Sequence, residues 1–86
     1  MKDPVLRVAC PDQPGLVHQI TKALMDEGAN IVRNDEFVDR TAKHFFMRTE
    51  FQNVPAERWF PLEKNLRSHL PDHAVLTLEQ PRPKNI

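Results

Sequence analysis

The sequence predicts the α+β class: a four-stranded antiparallel sheet with two helices on one face, met along the chain in the order β-α-β-β-α-β. Three observations carry this. Leu6, Val8 and Cys10, and later Phe45, Met47, Thr49 and Phe51, fall on one face of a strand at period two. Leu16, Val17, Ile20, Ala23 and Leu24 recur at helical spacing, and Leu62, Leu66, His69 and Leu70 repeat that stripe further on. Pro11, Gly28 and Pro71 stand where these segments must end.

The first strand, Val5–Cys10, stops at Pro11 and turns Leu6, Val8 and Cys10 to one side. Pro11-Asp12-Gln13-Pro14-Gly15 is a turn that opens a helix. Pro14 fits the first helical position, where its missing N–H costs nothing, with Gln13 or Asp12 as the cap. Gly28 follows that helix as its left-handed C′ residue. Asn30–Asp39 is polar for a strand, anchored by Ile31-Val32 and Phe37-Val38, with one side facing water. Arg40-Thr41-Ala42 is of hairpin length, and Lys43–Phe51 is the clearest strand. Pro55 is a helix-start candidate, and Pro61 belongs in a first turn, because deep in a helix it would cost ~3 kcal/mol. Leu70-Pro71 ends that helix, and Ala74, Leu76 and Leu78 give a last strand. Residues 1–80 form one domain; Gln80-Pro81-Arg82-Pro83-Lys84-Asn85-Ile86 reads as a linker or tail, from residue 81 on outside the domain.

This order is the split βαβ, or ferredoxin-like, sandwich. Right-handed crossovers put both helices on one face and leave the other, with Phe46, bare. Eighty-six residues make one small domain with a thin stability margin. Lys plus Arg equals Asp plus Glu, 12 against 12, which argues against a nucleic-acid binder held by bulk charge and leaves little repulsion to oppose self-association. No run approaches the ~20 apolar residues of a membrane span, and Met1-Lys2-Asp3-Pro4 lacks the apolar core of a signal peptide. A lone Cys10 cannot form an internal disulfide, so a reducing cytoplasm is the expected location.

A catalytic or metal constellation is not expected. His69 and His73 have i, i+4 spacing, but Pro71 lies between them; His18 and His44 stand apart from both. Cys10 ends a strand with no base beside it and reads as a buried, inert thiol. Two glycines, Gly15 and Gly28, cannot build a phosphate-cradling glycine loop. Enzymes of this fold of the acylphosphatase kind need an arginine in the turn after the first strand, where this chain offers Asp12. RNA-recognition motifs stack bases on aromatics of the first and third strands, and here the first strand has none.

The turn Asp12-Gln13-Pro14-Gly15-Leu16 can hold a small ligand. With no side chain at Gly15, the N–H groups of about residues 15–17 are open, and a helix N-terminus favours an anion such as an α-carboxylate. Asp12 would take the matching α-ammonium, so the pair suits a free amino acid. The same string is also an ordinary way to stop a strand and start a helix. Asn30 is likewise either the residue that follows the Gly28 cap or an amide aimed at a ligand from a neighbouring subunit.

Asp12-Gln13-Pro14-Gly15-Leu16, followed by Gly28-Ala29-Asn30-Ile31, resembles the signature of ACT domains, regulatory modules that bind amino acids at subunit interfaces. Leu6-Arg7, Cys10–Gln13, Asn30-Ile31-Val32, Asn34–Asp39 and above all Phe45-Phe46-Met47-Arg48-Thr49-Glu50 are similar to one ACT family, the N-terminal domain of formyltetrahydrofolate deformylases. The resemblance runs from about Leu6 to Leu78. It implies an enzyme that hydrolyses 10-formyltetrahydrofolate to tetrahydrofolate and formate for purine synthesis. The catalytic work belongs to an attached formyltransferase-like domain, and this chain carries no catalytic residue, metal or cofactor of its own. It implies a homodimer formed through a sheet edge and an amino-acid effector, glycine or methionine. The ligand positions would be Asp12, Gln13, Pro14, Gly15, Leu16 and Val17, with Asn30 and Ile31 from the second subunit. Two other readings stay open: an oligomerisation module with an empty pocket, and a stand-alone ACT protein that regulates some other partner.

Overall fold

The computed structural model describes residues 3–80, so the expected linker at 81–86 lies outside the described residues. Its elements are β1 (Val5–Pro11), α1 (Leu16–Asp26), β2 (Asn30–Asp39), β3 (His44–Gln52), a 3₁₀ turn (Ala56–Arg58), α2 (Trp59–His69) and β4 (Val75–Glu79). The strands form one antiparallel sheet in the order β2-β3-β1-β4. This is the ferredoxin-like arrangement the sequence predicts. Among the described residues, no helix is long and apolar enough to cross a membrane.

The alternating residues of β1 and β3 face the helices. Leu6, Val8, Cys10, Phe45, Met47 and Phe51 are buried there with Leu16, Ile20 and Leu24 of α1 and Leu62 and Leu66 of α2. Phe51 is the largest fully buried side chain, and its ring meets Trp59 edge-on at 6.5 Å. Trp59 in turn donates its indole N–H to the Val54 carbonyl at 3.1 Å, so the irregular stretch after β3 is tied to the start of α2. Pro61 is the third residue of α2, inside the first turn. Leu70 takes extended geometry ahead of Pro71 and ends the helix.

α1 closes on a Schellman motif. Gly28 sits at φ +85°, its N–H reaches the Met25 carbonyl at 2.9 Å, and the Ala29 N–H reaches the Leu24 carbonyl at 3.0 Å. Those bonds satisfy carbonyls that the end of a helix leaves open, and they launch β2.

Four expectations change. Pro14 is not the first helical residue: α1 starts at Leu16, and Gly15 is its N-cap at φ +83°, with no side-chain cap from Gln13 or Asp12. The chain reverses sharply out of β1, and the reversal needs a left-handed residue that only glycine adopts without strain. His69 is exposed, because the inward stripe of α2 runs through Leu62, Leu66 and the half-buried Leu70. Val32, Phe37 and Val38 are exposed rather than anchoring, since β2 is an edge strand with few residues under the helices, and Val32 falls in a bulge between Ile31 and Arg33. Lys43 stands outside β3, at φ 54° in the hairpin turn, where the Asp39 carboxylate accepts from the N–H groups of Thr41 and Ala42.

Among the described residues, Thr49 is a polar residue within the core. The Thr49 side chain is fully buried, and its hydroxyl donates to the Asn34 Oδ1 at 2.6 Å. Asn34→Ala strands that hydroxyl and is expected to cost about 1–3 kcal/mol in a urea unfolding curve. Adding Thr49→Val removes the unpaired group, so the double variant should recover much of the loss; a double variant that simply sums the two single losses would refute the pairing.

Candidate functional site

The N-terminus of α1 opens onto a hollow of about 410 Å³. One wall is the turn and first helical residues, Asp12, Gln13, Gly15, Leu16, Val17 and His18; the other is Glu36, Phe37 and Val38 of β2, with Phe45 of β3. The Asp12 N–H bonds the Lys43 carbonyl at 2.9 Å, which continues the β1–β3 ladder one residue past Pro11 and holds the turn beside the β2–β3 hairpin. The Gly15 carbonyl accepts the first helical bond, from the Gln19 N–H at 3.0 Å. The N–H groups of Leu16, Val17 and His18 therefore have no carbonyl within the helix, and they carry the positive end of its dipole.

Of the eight residues named from the sequence, five line this hollow: Asp12, Gln13, Gly15, Leu16 and Val17. Pro14 belongs to the same turn but does not line it. Asn30 and Ile31 sit at the other end of the sheet, opposite Gln52 and Phe51, while the hollow lies at the end where Asp39 pairs with His44. The Asn30 amide donates to the Gln52 Oε1 at 3.2 Å. Within one chain, then, the structure brings the turn together and keeps Asn30 and Ile31 away from it.

Sequence reasoning missed the second wall. Glu36 adds a second acid to the lining beside Asp12, its carboxylate accepting from the Asn34 amide at 3.0 Å. Only the hairpin register, which sets Glu36 against Met47 and Val38 against Phe45, reveals this. His18 was readable as a solvent-facing helix residue, but not as one in the first turn at the mouth.

Cys10 is buried beneath the sheet. Burial, reinforced by the nearby charge of Asp12, pushes the Cys10 thiol up from its usual range, which keeps it protonated and poorly nucleophilic. Iodoacetamide at pH 8 is expected to label folded Cys10 at least about tenfold more slowly than the urea-unfolded chain. Equal rates would show the thiol accessible. Among the described residues, no group of three His, Cys, Asp or Glu side chains is placed to hold a metal ion.

A family model described as the ACT domain matches residues 4–57. The chain belongs to the ACT domain family. The match ends before α2, yet the ACT fold continues through β4. This ACT domain is 43% identical over 74 residues to the N-terminal region of the formyltetrahydrofolate deformylase of Escherichia coli strain K12. That alignment takes in 86% of this chain and 26% of the enzyme, so the chain spans about a quarter of the length of the curated relatives it matches. The crystal structure of a formyltetrahydrofolate deformylase from Pseudomonas putida KT2440 superposes with a TM-score of 0.74 at 24% identity, over 91% of this chain and 28% of that one. An ACT domain protein from Streptococcus pneumoniae superposes with a TM-score of 0.70 at 15% identity, over 91% and 88% of the two chains. At such identities the superpositions speak for the fold alone.

Proposed function

We propose that this ACT domain is the amino-acid-sensing regulatory unit of a cytoplasmic formyltetrahydrofolate deformylase, joined covalently to a formyltransferase-like catalytic domain. That enzyme would hydrolyse 10-formyltetrahydrofolate to tetrahydrofolate and formate and so serve purine synthesis. The observation that carries the reading is the hollow at the α1 N-terminus, with opposite charges at its mouth. The free N–H groups of Leu16, Val17 and His18 suit an α-carboxylate. Asp12, seconded by Glu36, suits an α-ammonium. Glycine and methionine are the candidate effectors.

The site gains its missing pieces from a homodimer formed through the sheet edge. β2 is a ten-residue edge strand with an unpaired ladder along one side. Two β2 strands pairing antiparallel about a two-fold axis near their midpoint set Asn30 and Ile31 of the partner subunit opposite the Phe37–Asp39 end of the first. That end walls the hollow, so each ligand would sit between subunits. A ligand that prefers one dimer arrangement shifts the population toward it and passes the difference to whatever the chain is joined to.

Isothermal titration of the dimer with glycine and with methionine tests this. Saturable heat with either, lost in Asp12→Ala, is the expected result. No heat with either amino acid would remove the sensing role.

A further inference from the structure

A hydrogen-bonded chain runs from the core to the wall of the hollow at the α1 N-terminus. Thr49 is completely buried on the core face of β3. Its hydroxyl meets the Asn34 Oδ1 at 2.6 Å, and the Asn34 Nδ2 meets the Glu36 Oε2 at 3.0 Å. Asn34 and Glu36 stand two residues apart on β2, opposite Thr49 and Met47, so both lie on the side of the sheet that carries the helices. Of the three, Glu36 lines the hollow of about 410 Å³.

Chemistry fixes the direction of every bond in this chain. An ionised carboxylate only accepts, so Asn34 must turn its NH₂ toward Glu36. The Asn34 oxygen is left facing Thr49, whose hydroxyl must therefore donate. Thr49 is cut off from solvent, so a break in the chain would leave its hydroxyl unpaired in the core. The core thus holds Asn34, and Asn34 holds Glu36. A carboxylate has about four acceptor positions, and Asn34 takes one of them, so Glu36 keeps acceptor capacity for a ligand.

On the amino-acid-sensing reading above, we propose that Glu36 is the acid that selects a free α-ammonium, and that Asn34 and Thr49 are its positioning residues. Asp12 stands on an exposed turn, whereas Glu36 is tied through Asn34 to a buried hydroxyl. A side chain that is already ordered loses less rotamer freedom when it grips a cation. Its bond to an ammonium is charge-assisted, the stronger kind of hydrogen bond. Acylation takes away the positive charge of the ligand nitrogen and two of its three N–H donors, so the site rejects N-acyl amino acids. All three residues belong to one chain, so the arrangement is complete before any β2 edges pair.

Isothermal titration of the 86-residue chain with methionine, glycine and N-acetylmethionine reads this out, with urea unfolding of each variant to show that it is folded. The free amino acids should give heat and N-acetylmethionine none. Glu36→Gln keeps an oxygen for Asn34 but drops the charge, and it should weaken binding about tenfold or more. Asn34→Ala combined with Thr49→Val removes the chain and strands no hydroxyl; it should weaken binding roughly threefold or more. The same pair added to Glu36→Ala should change the affinity by less than about twofold, because positioning has no effect once the positioned group is gone. An equal loss with and without Glu36 would make Asn34 and Thr49 purely structural and overturn their role. Unchanged affinity in Glu36→Gln, or binding of N-acetylmethionine as tight as that of methionine, would overturn the selection by Glu36 while leaving the sensing reading intact. No heat with either free amino acid in the unaltered chain would remove the sensing reading and this role with it.

Discussion

Phe51→Ala is expected to lower the unfolding free energy by about 3–5 kcal/mol, the loss usual for emptying a buried aromatic site. Phe51 is completely buried on the core face of β3 and packs edge-on against Trp59. Its backbone N–H also holds the Pro4 carbonyl at 3.1 Å, beside the start of β1. Truncation leaves a void between the sheet and the start of α2, and the surrounding strands cannot close on it without breaking their register. Domains of this size hold only about 5–15 kcal/mol in total, so the variant should be partly unfolded at 37 °C. A thermal scan should show a Tm lower by more than about 12 °C. Phe46→Ala, five residues earlier in β3 and on the open face, should change Tm by far less. Equal losses would mean that the two faces of β3 had been assigned the wrong way round.

That contrast marks what a one-dimensional reading can recover. β1 and β3 were legible because a sheet with one wet face imposes alternation, which β3 keeps over its whole length and β1 keeps from Leu6 onward. α1 was legible for the same reason at helical period. β2 keeps no such pattern: eight of its ten residues are exposed, and the bulge at Val32 resets which side each residue faces. Its existence could be read from flanking turns, but its exposure could not. The long-range contacts were invisible. Thr49 finds Asn34 fifteen positions away, and Glu27 holds Arg58 through two hydrogen bonds of 3.0 and 3.1 Å between the ends of the two helices. At the site, Asp12 through Val17 were legible as a turn with an open helix N-terminus. Glu36 was not, because its place at the hollow is a property of hairpin register. His69 failed for a geometric reason. Three residues past Leu66 it lies on the flank of the stripe, and the helix ends before another turn could bury that flank.

The turn offers the more discriminating test. Gly15→Val is expected to destabilise the domain by about 1–3 kcal/mol, the strain of holding a β-branched residue in left-handed geometry. The backbone there stands at φ +83°, and a Cβ added at Gly15 meets no heavy atom within 4 Å, so conformation rather than collision sets the loss. Gly15→Asn keeps a side chain at the same place but tolerates that φ, and it should retain most of the stability. The pair separates two roles of this glycine. If the proposed effector sits against the N–H groups of Leu16, Val17 and His18, both substitutions place atoms at the mouth of the hollow, and both should abolish the heat of glycine or methionine binding. Only the valine variant should also lose stability. Retained binding in Gly15→Asn would mean that the glycine serves the chain reversal alone and that the ligand, if any, is held elsewhere. Dissociation of the dimer in both variants, with no change in binding per chain, would make the turn an assembly element and the hollow a by-product of the strand-to-helix junction.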